Sequence, residues 1–158
     1  MATITKKRYQ DSNNFAGPDG NVTTLEFSLV TKSNGAAVDS DSNAAIGNGD
    51  KVRLGILPAG LRLRDALFLV SDAFTALVTA DIGFEYVDGV DEVSVPQDAD
   101  YFGTAITLAT PGRYPADNAA VRPVTLPKDA WLIVTTGGAA CAAAGVLDVL
   151  VTGEHIGV

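Results

Sequence analysis

Short runs in which apolar and polar residues alternate constrain this sequence more than any other feature. Successive side chains of a β-strand point to opposite faces, so each run predicts a strand with one buried face. The four strongest runs are Leu25–Leu29, Val52–Ile56, Ile82–Tyr86 and Leu147–Val151. Turns such as Pro58-Ala-Gly60 and Asp88-Gly89 follow two of these runs. The chain is therefore predicted to be all-β.

Four further segments have the composition of strands but a weaker alternation. They are Ala66–Val70, Tyr101–Leu108, Val121–Leu126 and Ala130–Thr136. Pro123 would place the third segment at a sheet edge or a bulge. The first lies within Leu61–Leu77, whose apolar spacing also fits a helix. A strand is favoured there because the neighbouring segments are strands and no capping box precedes the run.

About eight short strands without a βαβ rhythm favour an antiparallel sandwich or barrel, and the leading prediction is an eight-stranded jelly-roll sandwich. A length of 158 residues fits one domain. Residues 1–24 are polar and rich in turn formers, so they are predicted to form an extended N-terminal arm. Residues 25–158 are predicted to form the single jelly-roll domain.

Composition excludes several classes of function. The formal net charge of -8 lacks the cationic excess that nucleic-acid binding needs. A single cysteine, Cys141, excludes an intrachain disulfide, and a single histidine, His155, excludes sites built from several imidazoles. No apolar stretch reaches the roughly 18 residues of a membrane-spanning helix, and no secretion signal is visible. We expect no cofactor, no nucleic acid, no membrane partner and synthesis in the cytoplasm.

Two acidic clusters are candidate sites. Asp39, Asp41 and Asn43 open like a calcium loop, but Ala44 replaces the glycine at the sixth position and Asp50 the glutamate at the twelfth. A solvated acidic loop is therefore favoured, although calcium binding stays open. The second cluster contains carboxylates that, if suitably spaced, would act as an acid–base pair on a glycoside. Its members are Asp88, Asp91, Glu92, Asp98 and Asp100.

Other catalytic patterns are weak. Cys141 stands in a run of alanines, which indicates a buried and inert thiol, and His155 lies near the end of the chain. Trp131 belongs to an apolar strand and is predicted to be core. A sugar-binding face would need exposed aromatics, for which Tyr101 and Tyr114 are candidates. The chain is not expected to be an enzyme.

A short basic cluster, Lys6, Lys7 and Arg8, stands in the arm of this acidic chain. Tyr9 and Phe15 follow it and are apolar anchors of the kind that dock in a groove. These five residues are the predicted partner-binding site, and a solubilising tail is the alternative.

Several phrases resemble a known family, in their order and spacing. They are Gly49-Asp-Lys-Val-Arg-Leu-Gly-Ile-Leu-Pro-Ala-Gly60, Ala66-Leu-Phe-Leu-Val-Ser-Asp72, Ile82-Gly-Phe-Glu-Tyr-Val-Asp-Gly89, Asp98-Ala-Asp-Tyr-Phe-Gly103, Asp129-Ala-Trp-Leu132 and Gly145-Val-Leu-Asp-Val149. Together they resemble the capsid decoration, or cement, proteins of tailed bacteriophages, over roughly the last two-thirds of the chain.

This resemblance implies a jelly-roll protein on the outer surface of a virion. Its partners would be the major capsid protein and further copies of itself, as a dimer or a trimer. It would stabilise the capsid by bridging neighbouring capsid subunits. The alternative is a carbohydrate- or receptor-binding jelly-roll module of a phage particle.

Overall fold

A computed structural model describes residues 1–6 and 22–156 of the chain. Within these residues the chain forms nine strands and no helix. The strands are β1 (Thr3–Thr5), β2 (Val22–Thr31), β3 (Lys51–Leu57), β4 (Leu61–Asp72), β5 (Thr79–Tyr86), β6 (Asp98–Thr107), β7 (Gly112–Pro115), β8 (Ala130–Gly137) and β9 (Gly145–His155). The all-β prediction is confirmed. No helical segment in this part of the chain has the length and hydropathy that a membrane crossing needs.

The strands form two sheets that pack as a sandwich. One sheet has five strands in the order β1-β3-β8-β5-β6, and the other has four in the order β2-β9-β4-β7. The short strand β1 runs parallel to β3, and the other paired strands are antiparallel. The longest unbroken pairing joins β2 and β9 from Val22↔Glu154 to Thr31↔Gly145 without a bulge.

The core lies between the sheets and is built by the predicted alternation. Leu25, Phe27 and Leu29 point inward from β2, while the residues between them face outward. The central strand β8 is buried along Ala130–Val134, on both of its faces. A continuous apolar run is typical of a strand covered on both sides, and it explains the weak alternation of this segment.

Strand β4 settles the choice between strand and helix in Leu61–Leu77. Its inward residues are Leu61 and Leu63, and after a bulge between Leu63 and Asp65 they become Ala66, Phe68 and Val70. A β-bulge adds one residue and so moves the inward face from odd to even positions. The shifted alternation produced the apparent helical spacing.

Three details of the predicted strands are wrong. The segment Val121–Leu126 makes only an isolated bridge, Arg62↔Thr125, and is not a strand. Strand β7 instead occupies Gly112–Pro115, which lies between two of the predicted strands. In β3, a bulge between Arg53 and Gly55 directs Leu57 rather than Ile56 into the core.

The first residues pack against the body. Ile4 of β1 is buried, and Thr3–Thr5 pair with Lys51–Arg53. Strand β2 begins at Val22, three residues before the predicted start of the body at position 25. The described part of the predicted arm thus contains a strand at each end.

Candidate interaction surfaces

Lys6 is the one predicted partner-binding residue that lies within the described chain; Lys7, Arg8, Tyr9 and Phe15 lie outside it. Its Nζ donates a hydrogen bond to the carbonyl oxygen of Val38 at 2.7 Å, and its backbone N–H donates to Arg53 at 3.1 Å. Burial lowers the pKa of the Lys6 ammonium, and the nearby negative charge of Asp39 offsets only part of this effect. Lys6 therefore anchors the end of β1 to the body.

The first acidic cluster holds β1 in place. Asp41 Oδ1 accepts a hydrogen bond from the Thr5 N–H at 3.0 Å, and Asp50 Oδ1 accepts one from the Ala2 N–H at 2.6 Å. The second oxygen of Asp50 accepts from the Gly47 N–H at 2.8 Å. Within residues 1–6 and 22–156, no group of three or more histidine, cysteine, aspartate or glutamate side chains is placed to hold a metal ion. The carboxylates of Asp41 and Asp50 therefore accept hydrogen bonds from backbone N–H groups and hold these segments in place.

Lys128 neutralises part of the second acidic cluster. Its Nζ lies 2.9 Å from Asp88 Oδ2 and 3.5 Å from Glu92 Oε1, and it donates a hydrogen bond to the Val90 carbonyl at 2.6 Å. The same ammonium lies 4.6 Å from the centre of the Tyr86 ring, a cation–π contact. This arrangement fixes the β5–β6 loop.

Asp98 and Asp100 lie together at the start of β6, where the Asp100 N–H donates a hydrogen bond to Asp98 Oδ1 at 3.2 Å. Burial raises the pKa of Asp98, and the neighbouring Asp100 carboxyl raises it further, whereas the Asp98 carboxyl lowers the pKa of Asp100. Asp100 Oδ2 accepts a further hydrogen bond from the Thr104 hydroxyl at 3.0 Å, so both carboxyls take part in local contacts along β6.

A groove of about 300 Å³ lies beside this pair. Apolar side chains of the sheet and the loops around it, including Phe84, Val95 and Val124, form most of its lining. Tyr101 closes one side, with its hydroxyl donating a hydrogen bond to the Arg122 carbonyl at 2.7 Å.

The predicted aromatic candidates do not form an exposed platform for a sugar. Tyr101 is 7% exposed and Trp131 is 8% exposed. Tyr114 is half-buried on β7, where its hydroxyl donates to the Thr110 carbonyl at 2.8 Å. Stacking on a sugar requires a free aromatic face, which burial removes from the first two.

Cys141 and His155 do not meet. Cys141 lies in the connector before β9 and His155 at the far end of that strand, so about 30 Å of extended chain separates them. Burial raises the pKa of the Cys141 thiol to about 11, which keeps it protonated and unreactive. The expectation of a buried cysteine is confirmed.

A charged network on the outer face of the five-stranded sheet was not predicted. Lys51 Nζ and Arg53 Nε lie 2.5 Å and 2.7 Å from the two carboxylate oxygens of Glu85. The Arg53 guanidinium also lies 5.5 Å from the centre of the Trp131 ring. The sequence shows these charges at alternating, outward positions of β3 and β5. It does not show that both strands pair with β8, and this strand order brings the charges together.

The Glu85 network is expected to lower the free energy of unfolding at acid pH relative to neutral pH. Burial alone would raise the pKa of Glu85, but the hydrogen bonds and charges of Lys51 and Arg53 outweigh it and lower the pKa. The network therefore stabilises the fold fully above the unfolded-state pKa of about 4.3. The contribution is lost as the pH falls through the lower folded-state value.

We expect Glu85→Gln to cost more unfolding free energy at pH 7 than at pH 3, as measured by urea denaturation. An equal cost at both pH values would show that the carboxylate charge does not stabilise the fold.

Comparison with known proteins identifies a shared fold. No protein-family model matches the chain, and no curated protein is significantly similar to it in sequence. A chain in the structure of the capsid of Ralstonia phage GP4 aligns with a TM-score of 0.69 and 19% identity, covering 99% of this chain and 100% of that one. A chain in the cyanophage Pam1 capsid asymmetric unit aligns with a TM-score of 0.57 and 17% identity, covering 89% of each chain. At these identities the likeness is one of fold.

Proposed function

We propose that this chain is a structural protein of a tailed-phage virion. It binds the outer surface of the capsid and stabilises the shell by bridging neighbouring subunits of the major capsid protein. The observation that carries the proposal is the fold match to chains in two phage capsid structures, one of them along nearly the whole length of both chains. A net charge of -8 is consistent with a place outside the shell, away from packaged DNA.

The proposal includes a jelly-roll fold for β2 to β9. The pairs β2–β9, β3–β8, β4–β7 and β5–β6 are nested and antiparallel. Such pairing is expected when one long antiparallel ribbon folds over on itself, and it supports the jelly roll. The short β1 then adds a fifth strand beside β3.

This role is structural and requires no catalysis. The Cys141 thiol is buried far from His155. The described polar groups instead fasten loops and strands, as Lys6 and Asp50 do.

The proposed attachment site is the segment between β1 and β2. Lys6 is fixed to Val38, so the contacts to the capsid are assigned to Lys7, Arg8, Tyr9 and Phe15. An exposed ion pair contributes only about 0–1 kcal/mol, so the two aromatics and the repetition of sites over the shell supply most of the affinity.

The test is to replace residues 7–21 with a Gly/Ser linker of the same length. This change keeps both strands intact, whereas a deletion of residues 1–24 would remove β1 and shorten β2. We expect the variant to fold, by circular dichroism, but to bind much more weakly to capsids of its parent phage prepared without this protein. Sedimentation with capsids measures the loss.

A matched pair of variants separates the two kinds of contact. Tyr9→Ala with Phe15→Ala is expected to weaken capsid binding more than Lys7→Ala with Arg8→Ala. The loss from the second pair should be clearest at low salt, where surface charges are least screened. If the linker variant binds as tightly as the natural chain, attachment lies on the β body. If the natural chain does not bind capsids, the proposed function is wrong.

A further inference from the structure

Three of the four strands at the sheet edges are protected against pairing with another chain. The outer edge of β1 is covered by Asp41, whose N–H donates to the Thr5 carbonyl at 3.1 Å. The outer edge of β6 is covered by Asp117, whose N–H donates to the Phe102 carbonyl at 3.0 Å. Strand β7 is only four residues long and ends in Pro115. Covering loops, shortness and proline are the usual ways in which proteins block an edge.

Strand β2 is the exception. It is ten residues long, contains no lysine or proline, and pairs with β9 without a bulge. Within residues 1–6 and 22–156, only the last residues of β2 are covered, where the Val38 N–H donates to the Val30 carbonyl at 2.8 Å. That bond shows that even-numbered residues direct their backbone groups to the outer edge. Along residues 22–29, the described chain offers these backbone groups no partner.

We propose that β2 pairs with β2 of a second copy of this chain, antiparallel and across a twofold axis. The two four-stranded sheets would then form one continuous eight-stranded sheet. In each copy, residues 22–29 of β2 are open to pairing. The loop at residues 36–38 covers the end of β2 and so prevents an added strand from pairing beyond residue 29. The inference concerns self-association and does not depend on capsid binding.

The register follows from three constraints. Buried side chains must face buried ones, so the axis passes through a residue and not between two. An axis at Glu26 would place like charges directly opposite each other, and one at Phe27 would require the Val30 carbonyl, which already accepts from Val38. An axis at Leu25 avoids both conflicts and pairs residues 22–28, whereas an axis at Thr24 would pair only residues 22–26.

With the axis at Leu25, the outward backbone groups of Thr24 face those of Glu26 in the second copy. The backbone groups of Val22 likewise face those of Ser28. All four residues direct N–H and C=O groups to the edge, so each pair forms two hydrogen bonds. The side chains on the solvent face are then Thr against Glu and Val against Ser, with no like charges opposed.

Proline substitution tests the surface without removing a bond from the sheet. The Glu26 N–H points to the free edge, where proline is tolerated. We expect sedimentation equilibrium of the natural chain to give a dimer, of Glu26→Pro a monomer, and of the control Glu26→Thr a dimer. A natural chain that is a monomer at all concentrations, or a trimer, would overturn the proposal.

Cysteine pairing tests the register and serves if Glu26→Pro does not fold. Opposed residues in a hydrogen-bonded pair have Cα atoms about 5.5 Å apart, within reach of a disulfide. We expect a mixture of Thr24→Cys and Glu26→Cys chains to form a cross-linked dimer on oxidation. The native Cys141 is buried and does not compete. Cross-linking of Glu26→Cys alone would place the axis at Glu26 and refute this register, and no cross-link in the mixture would refute the interface.

Discussion

Replacing Trp131 with alanine is expected to lower the free energy of unfolding by about 3–5 kcal/mol. Trp131 lies in the central strand β8 and is 8% exposed. Ala130 and Leu132 on either side of it point into the core between the sheets, so Trp131 packs on the opposite, outer face. Its removal would leave a cavity there and would take the aromatic surface from beneath the Arg53 guanidinium, 5.5 Å away.

Urea denaturation followed by circular dichroism measures this loss, because the substitution removes the only tryptophan and its fluorescence. Trp131→Phe is the control, since it keeps an aromatic ring and should cost less. An unchanged midpoint for Trp131→Ala would mean that the side chain contributes little to packing. That result would favour the alternative in which exposed aromatics on the outer face of the sheet bind a sugar.

The alternating runs predicted those strands whose two faces see different surroundings. Leu25–Leu29 and Leu147–Val151 lie within β2 and β9, which pair without a bulge. Alternation was harder to read where a bulge shifts the inward face, as after Leu63 in β4, or where both faces are buried, as in β8. A bulge depends on the partner strand, so one strand's sequence does not specify it.

The short strands were missed because tertiary pairing creates them. Strands β1 and β7 have three and four residues, too few for a periodic signal. Carboxylates of Asp41 and Asp50, far along the chain, hold β1 against β3. The segment Val121–Leu126 has strand composition but runs along the body with a single bridge, Arg62↔Thr125.

The candidate surfaces were less predictable than the strands. Lys6 has the sequence context of a docking cation, yet its Nζ is bound by Val38, a contact that only the fold creates. The Lys51–Arg53–Glu85 network and the free edge of β2 both depend on strand order. Strand order is set by long-range pairing, whereas the sequence pattern reports local geometry.

Replacing Gly35 with alanine is expected to destabilise the protein by about 2–5 kcal/mol. Gly35 has φ of 80°, a left-handed conformation that costs a residue with a side chain about 1–2 kcal/mol. A Cβ atom there would lie 2.0 Å from the carbonyl oxygen of Cys141, so backbone would have to move. Forcing an extra methyl group into a packed site adds about 1–3 kcal/mol.

The loss of stability should extend beyond Gly35, because backbone hydrogen bonds connect its loop to two others. Its carbonyl accepts from the Ile46 N–H at 3.0 Å, and the Ile46 carbonyl accepts from the Cys141 N–H at 2.8 Å. Ile46 and Cys141 are both buried. Pushing the Cys141 backbone away from Gly35 would therefore strain both hydrogen bonds and open this end of the sandwich.

Gly49→Ala is the matched control for this prediction. Gly49 has nearly the same φ, 83°, but no atom lies within 4 Å of the position that its Cβ would occupy. It should lose only the conformational part, about 1–2 kcal/mol. Thermal unfolding of the two variants therefore isolates the steric contact. Equal losses would show that the β8–β9 connector moves aside freely, and that the three loops do not stabilise one another.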